Sequence, residues 1–219
     1  MTDTIQISIP AGFIDAAMCA VSKEETRYYL KGVFIDARGF IAATNGHMAF
    51  AARCNDAYKL ADVKPTYPND ALPGVIVPSD AILQAGKAAG RSKGLCYVIE
   101  RDAQGLWWIL YGNARIHFAP VDGSFPDWAR IIPFAPDALA AAHFNPLYIG
   151  KLGDMAKALR DGKKDAASLF KLHQNGEDPA LVTFASEDGK GQRNDCCGVL
   201  MPMREKGASA FDRDAFIAS

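Results

Sequence analysis

The chain has 219 residues, and its 24 Lys and Arg nearly balance 25 Asp and Glu for a formal charge of −1. With 49% hydrophobic and 22% charged residues it has ordinary globular usage, which excludes a largely disordered chain and allows a sizeable core. A coat of positive charge is excluded; a basic stripe on an acidic body is not.

The cysteines Cys19, Cys54, Cys96, Cys196 and Cys197 are odd in number and form no CxxC pair. The start, MTDTIQISIPAGF, has neither a basic n-region nor a long apolar core, so reduced thiols and a cytoplasmic location are expected. No stretch approaches the roughly 18 apolar residues of a membrane span.

Three segments open alike, with a short β-like run, a proline and then a helical pattern. The prolines are Pro10 (IQISIP), Pro78 (GVIVP) and Pro146 (AAHFNP), at an equal interval of 68 residues. Each falls at a helix start, where its missing N–H costs nothing and its fixed φ helps. After the first helix come TRYYLKGVFI, the turn Asp36–Gly39, FIAAT, Asn45-Gly46 and HMAFAAR. After the second come LCYVIE, the turn Asp102–Gly105, LWWILY, Gly112-Asn113 and ARIHFAP. After the third come SLFKLH, a turn near Asn175-Gly176, ALVTFAS, a turn near Asp188-Gly189 and CCGVLMPM. β-Branched and aromatic runs between Asn, Asp and Gly turns read as antiparallel strands.

The chain is therefore α+β, with three repeats of a strand, a helix and three antiparallel strands. Units at about 1–70, 71–138 and 139–206 are expected, with Pro-bearing connectors at 62–74 and 120–137. This grouping predicts a two-unit domain over 1–122, a connector over 123–138, a third unit over 139–206 and a tail over 207–219. A lone unit exposes a helix face and strand edges, so two units should pair helix beside helix and sheet beside sheet. An odd third unit points to self-association, or to its packing on the other two in a monomer.

The helix faces separate by charge. On the first helix Phe13, Ile14, Ala17, Met18 and Val21 face inward, and Asp15, Cys19 and Ser22 outward. The second turns Ile82, Gly86 and Ala89 inward and Lys87 and Arg91 outward. The third turns Tyr148, Leu152, Met155 and Leu159 inward, with Lys157, Arg160 and Lys164 on the opposite stripe. Such cations attract a phosphate backbone without reading sequence. A charged stripe is also what an ordinary solvated helix face looks like.

Catalysis has little support. The histidines His47, His117, His143 and His173 form no HExxH, no GxSxG or Walker pattern occurs, and Asp127 has no evident carboxylate partner. Adjacent Cys196 and Cys197 point to opposite faces of a strand, which disfavours a shared metal. No enzyme, cofactor or metal is expected.

Three blocks carry a resemblance. Arg27 to Val33 (RYYLKGV) followed by Ala43 to Ala49 (ATNGHMA) resembles the "RxYLNGV … ATDGHRLA" block of the bacterial DNA polymerase III β subunits, the sliding clamps. Gly123 to Pro133 (GSFPDWARIIP) is similar to their "GxFPDYRRVIP", and Val199 to Arg204 (VLMPMR) to their "VVMPMR". The blocks occur in the family's order, and the pattern extends over about residues 5–206. The chain thus resembles a shortened clamp.

The resemblance implies a DNA-clamp fold with antiparallel sheets outside and helices lining a channel. Lys87, Arg91, Lys157, Arg160 and Lys164 would face duplex DNA. The family's peptide pocket would map onto Leu30, Thr44, Gly46, His47, Met48, Pro126, Arg130, Ile131, Val199, Met201, Pro202, Met203 and Arg204. Its partners would be duplex DNA, a DNA polymerase and other proteins with clamp-binding motifs, and a clamp loader. Three helices per chain would need four chains to match the family's twelve-helix ring, hence a homo-oligomer, with a tetramer the natural choice. The reduced unit number suggests a phage or other mobile element. The alternative is a non-encircling peptide-binding protein that competes with a host clamp for partners. The family's Arg and Leu after "DGH" are Met48 and Ala49 here, and the first Arg of "YRR" is Ala129, so peptide preference is expected to differ.

Overall fold

The computed structural model describes residues 5–36, 39–54, 74–92, 94–133, 142–160, 168–186 and 189–203. Lys164, Arg204, the 207–219 tail and most of the 62–74 connector lie outside the described residues.

The first unit contains β1 (Ile5–Pro10), α1 (Ala11–Ala20), β2 (Gly32–Ile35), β3 (Phe40–Thr44) and β4 (Met48–Arg53). The second contains β5 (Val75–Pro78), α2 (Ser79–Ala89), β6 (Cys96–Arg101), β7 (Trp107–Tyr111) and β8 (Ala114–Phe118). The third contains α3 (Pro146–Ala158), β9 (Phe170–His173), β10 (Ala180–Phe184) and β11 (Cys196–Leu200).

All strand pairings are antiparallel, in a four-stranded sheet β1-β6-β7-β8 and a seven-stranded sheet β5-β2-β3-β4-β11-β10-β9. The first two units exchange their opening strands. β1 lies on β6, with Ile7 opposite Ile99, and β5 lies on β2, with Val77 opposite Val33. The helix that follows each exchanged strand begins on the other unit's backbone. Ala11 N–H donates to the Leu95 carbonyl at 2.8 Å, and Ser79 N–H to the Lys31 carbonyl at 3.0 Å. Neither α1 nor α2 has a side-chain cap; α3 does, with Asn145 Oδ1 accepting from Leu147 N–H at 2.9 Å. Proline at the N-cap or first helical position suits all three starts, because no N–H is lost that the helix could use.

Several expectations are corrected. Glu25–Leu30 forms a 3-10 segment rather than the start of a strand. Tyr28 is left exposed, and Tyr29 abuts Gly123 of the connector. The run before Pro146 makes a single bridge, His143 with Met203, and no strand. β1 and β5 are strands because another unit's sheet receives them; residues 142–145 lie on no such sheet among the described residues. The helix-beside-helix packing joins α1 to α3 rather than to α2. α1 is accordingly buried over a broad face that includes Ala16 and Ala20, and Ser22 is buried at its end rather than outward.

One core lies between the helices and the inner sheet faces, with Ile9, Ile14, Ile41, Phe50, Leu152, Met155 and Phe184 all fully buried. A second, small cluster lies on the opposite face, where Trp128 packs with Ala42, Ala51, Phe34, Phe40, Phe125 and Ile132. Its indole N–H donates to Asp36 Oδ2 at 3.2 Å, and Phe125 stacks on Phe34 with centroids 4.8 Å apart. β3 and β4 are covered on both faces, which is why FIAAT and MAFAA show no polar alternation.

The β7–β8 turn holds Gly112 at φ +57°, where an added Cβ would collide with the Ser92 carbonyl oxygen. Gly112→Ala is expected to lower stability by about 3 kcal/mol or more, read as the shift of the urea midpoint.

Candidate peptide groove and helix face

The three resemblance blocks meet at the seam where β4 pairs with β11, Ala49 opposite Val199 and Met48 opposite Leu200. The β3–β4 loop is a built element. Thr44 Oγ1 accepts from Gly46 N–H at 3.1 Å and donates to the Met48 carbonyl at 2.8 Å. Asn45 Oδ1 accepts from the His47 and Met48 N–H groups at 2.9 and 3.0 Å. This Asx arrangement replaces backbone partners the tight loop cannot supply. Gly46 sits at φ +85°, where a Cβ would strike the Arg27 guanidinium, which itself reaches the Asn45 carbonyl at 3.4 Å.

The loop presents His47 outward and locks to the strand end. Met201 N–H donates to the His47 carbonyl at 2.9 Å, and the His47 ring stacks on Tyr148 of α3 at 5.5 Å. Pro202 ends β11 by removing a donor, and Met203 N–H then donates to the His143 carbonyl at 2.7 Å. Met201 (38% exposed) and Met203 (55%) are thus held open at the surface beside the His47–Tyr148 stack. Exposed, flexible thioethers suit a varied apolar ligand.

The predicted pocket residues divide by placement. Gly46, His47, Met201 and Met203 come together at the surface around the seam, with half-buried Pro202 between the methionines. Pro126 and Arg130 are exposed and Ile131 half-buried on the connector, whose 3-10 segment Trp128–Ile131 is anchored by Trp128. Leu30, Thr44 and Val199 are buried and offer no exposed surface to a ligand. Met48 is 1% exposed in the main core and has no surface to offer a ligand. Arg204 lies outside the described residues. Tyr148, stacked on His47, is an addition that helical periodicity alone assigns to packing.

A cavity of about 170 Å³ lies on the outer face of the same seam, lined by Phe40, Ala51, Trp128, Ile132, Asp195 and Cys197 among others. None of the predicted pocket residues lines it, and it is small beside the ~300 Å³ at which ligand pockets begin.

Beneath the seam Arg193 ties three elements. It forks onto Asp195 at 2.9 and 2.7 Å, donates to the Leu159 carbonyl at 3.0 Å and lies over the Phe13 ring. Burial pushes the Asp195 carboxyl up, but the Arg193 hydrogen bonds and charge outweigh it and hold it below the usual range. The stability it contributes is complete above the ordinary carboxylate range and is lost as pH falls through the lowered value.

The helix face is less basic than the stripes suggest. Lys87 and Arg91 are exposed as expected. Lys157 pairs with Asp154 at 3.2 Å, both largely exposed. α3 ends at Ala158, so Arg160 lies past the helix and only half-exposed. Lys151 donates to the Cys19 carbonyl at 3.1 Å and bridges α3 to α1. Asp15 and Asp80 are exposed on α1 and α2.

Catalytic chemistry gains nothing from the geometry. Burial pushes the thiols of Cys54 and Cys197 up to about 12 and 11, and that of Cys196 up as well. Among the described residues no three His, Cys, Asp or Glu side chains gather as a metal site, and no helix is long and apolar enough to cross a membrane.

Asn45→Ala strands two loop N–H groups and is expected to lower stability by about 1–2 kcal/mol. In a thermal melt, an unchanged midpoint would contradict the loop assignment.

No protein-family model matches the chain. Over 122 residues it is 33% identical to the β sliding clamp of Caulobacter vibrioides, a stretch covering 55% of this chain and 31% of that protein. Over 128 residues it is 28% identical to the β sliding clamp of Rickettsia bellii, covering 56% and 31%. The matched stretch thus spans about a third of the length of these curated relatives. Among solved structures, the DnaN sliding clamp of Bartonella birtlesii bound to griselimycin aligns with TM-score 0.64 at 19% identity, over 92% of this chain and 66% of that one. The Pseudomonas aeruginosa clamp with ligand aligns at 0.63 with the same identity and coverage. The antiparallel sheets with helices on one face are the α+β clamp fold, and the chain is a clamp-like homologue of the bacterial β sliding clamps.

Proposed function

We propose that the chain is a sliding-clamp-like processivity factor that encircles duplex DNA as an oligomer and offers the seam groove to polymerase peptide motifs. The observation that carries this is the continuous sheet across β4 and β11, with α1 and α3 together on one face and His47, Met201 and Met203 held open at its end. A clamp-type ring needs units joined edge to edge with helices inward. A tetramer with alternating self-complementary interfaces supplies twelve helices. A clamp loader would open it. The homology points to a non-enzyme.

The helix face favours one second reading. Asp15, Asp80 and the Asp154–Lys157 pair dilute the positive charge. A protein with the same groove that does not enclose DNA would compete with a host clamp for partners.

Two experiments separate these. The first loads the protein on nicked circular DNA with a clamp loader and follows retention before and after linearisation. Retention on circles with loss from linear ends is expected. Neutralising Lys87, Arg91, Lys157 and Arg160 should weaken retention and lower the salt slope by about 0.9 per phosphate contact removed. A neutralised variant that is retained as well as wild type would mean that these residues do not face DNA. The second titrates a fluorescent clamp-binding peptide. Arg130→Ala with Met203→Ala is expected to weaken binding at least tenfold, about 1.4 kcal/mol. Undiminished affinity would refute the groove, and peptide binding without retention on circles would favour the competitor.

A further inference from the structure

The first two units show how this repeat closes. β5 is held on both edges, by β2 on one side and, on the other, by a bond from Val121 N–H to the Ile76 carbonyl at 3.0 Å. Val121 follows the last strand of β5's own unit. The third unit repeats that second bond. Met203, just past β11, donates to the His143 carbonyl at 2.7 Å. Residues 142–145 therefore stand to β11 as β5 stands to β8, except that Ala142 N–H is held by Gln174 Oε1 of the same chain at 2.8 Å, a bond that a paired strand would replace.

The receiving edge is present too. β2 and β6 each carry the opening strand of another unit; their counterpart β9 pairs with β10 and, among the described residues, with no second strand. Ala185 N–H bonds the Leu169 carbonyl, so the 169, 171 and 173 backbone groups face β10. Antiparallel alternation then turns the N–H and C=O of Phe170 and Leu172 outward. Leu169 is 61% exposed at the start of this edge.

We propose that two copies complete each other at this edge. Residues 142–145 of one copy lie antiparallel along β9 of the second, and the second copy reciprocates about a two-fold axis. Donor and acceptor sit on the same unit, so the contact is self-complementary and closes as a dimer. Backbone hydrogen bonds supply the affinity, as in other strand additions. The inference rests on the clamp reading only for the equivalence of the units, not for DNA or peptide binding. The start of α3 needs no partner: where α1 and α2 give the N–H of their first helical residues, Ala11 and Ser79, to another unit's carbonyl, α3 has Pro146, which has no N–H, and Asn145 Oδ1 caps the Leu147 N–H.

The test uses the full chain without DNA or peptide. Light scattering over a dilution series is combined with amide hydrogen exchange. A mass that rises from 23.6 kDa to twice that value or, where the alternate interface of the proposed ring also forms, to four times it, is expected, with slowed exchange at Phe170 and Leu172 over the same concentrations. Leu169→Lys, at an exposed position, places a charge beside the edge and should weaken association about tenfold or more while leaving the exchange of core amides unchanged. Leu172→Pro removes an outward donor; if it fails to fold, Leu169→Lys and the exchange data decide. A chain that stays monomeric throughout overturns the proposal. So does a dimer that leaves β9 exchange unchanged and protects the Ala114–Phe118 edge instead. Loss of retention on DNA circles would leave these readouts untouched.

Discussion

The antiparallel pairing of β4 with β11 is the constraint on which the rest of the molecule depends. It joins strands separated by well over a hundred residues into one sheet, from Ala52 opposite Cys196 to Met48 opposite Leu200. Closing so long a loop carries an entropic cost that only extensive burial offsets. That burial comes from both faces. α1 and α3 pack together beneath the seam, where Arg193 binds Asp195, the end of α3 and the Phe13 ring. Trp128 and its aromatic neighbours cover the other face. The exposure of Met201 and Met203 at the seam's end is a consequence. The strand stops at Pro202 while the β3–β4 loop, fixed by Thr44 and Asn45, still has the His47 carbonyl to offer Met201.

Much of this was legible in the residues. Equal spacing of three prolines located the three helices to within two residues, because proline suits a helix start and Asn, Asp and Gly turns bound the strands. The inner stripe of α3 was readable for the same reason; Leu152, Met155 and Leu159 are all buried. The blocks around His47 and Met201 meet where Met201 N–H bonds the His47 carbonyl. What periodicity could not show is which unit each strand joins. β1 and β5 read locally as strands of their own units, yet each belongs to the other's sheet. The partner of α1 was hidden likewise. Only the wide burial of small residues, Ala16, Ala17 and Ala20, hints that a second helix approaches closely, and alanine is also simply a good helix former.

Charge was misleading in a specific way. A stripe of Lys157, Arg160 and Lys164 assumes a helix that continues, and α3 stops at Ala158. Asp154 lies one turn before Lys157 and pairs with it, an i,i+3 spacing that the sequence already carries. Exposed pairs of this kind contribute little to stability, so the pair matters for the field of the helix face rather than for the fold. A ring built on this face would hold DNA more weakly per chain than the stripes alone suggest, and with a shallower dependence on salt.

The helix starts bring these threads together. In the first two units the N–H at the first helical position, on half-buried Ala11 and Ser79, is given to another unit's carbonyl, so separating the exchanged strands would take that partner away. In the third unit the same position is Pro146, which has no N–H to satisfy, and Asn145 Oδ1 caps the next N–H, that of Leu147. The start of α3 therefore leans on no other unit's backbone. An opening strand with Pro at the N-cap marks a helix whose first N–H borrows an acceptor from another unit. Pro at the first helical position marks one with nothing to borrow. The difference between IPA or VPS and NPL is therefore a physical signal, readable in sequence, of which helix starts lean on a neighbouring unit.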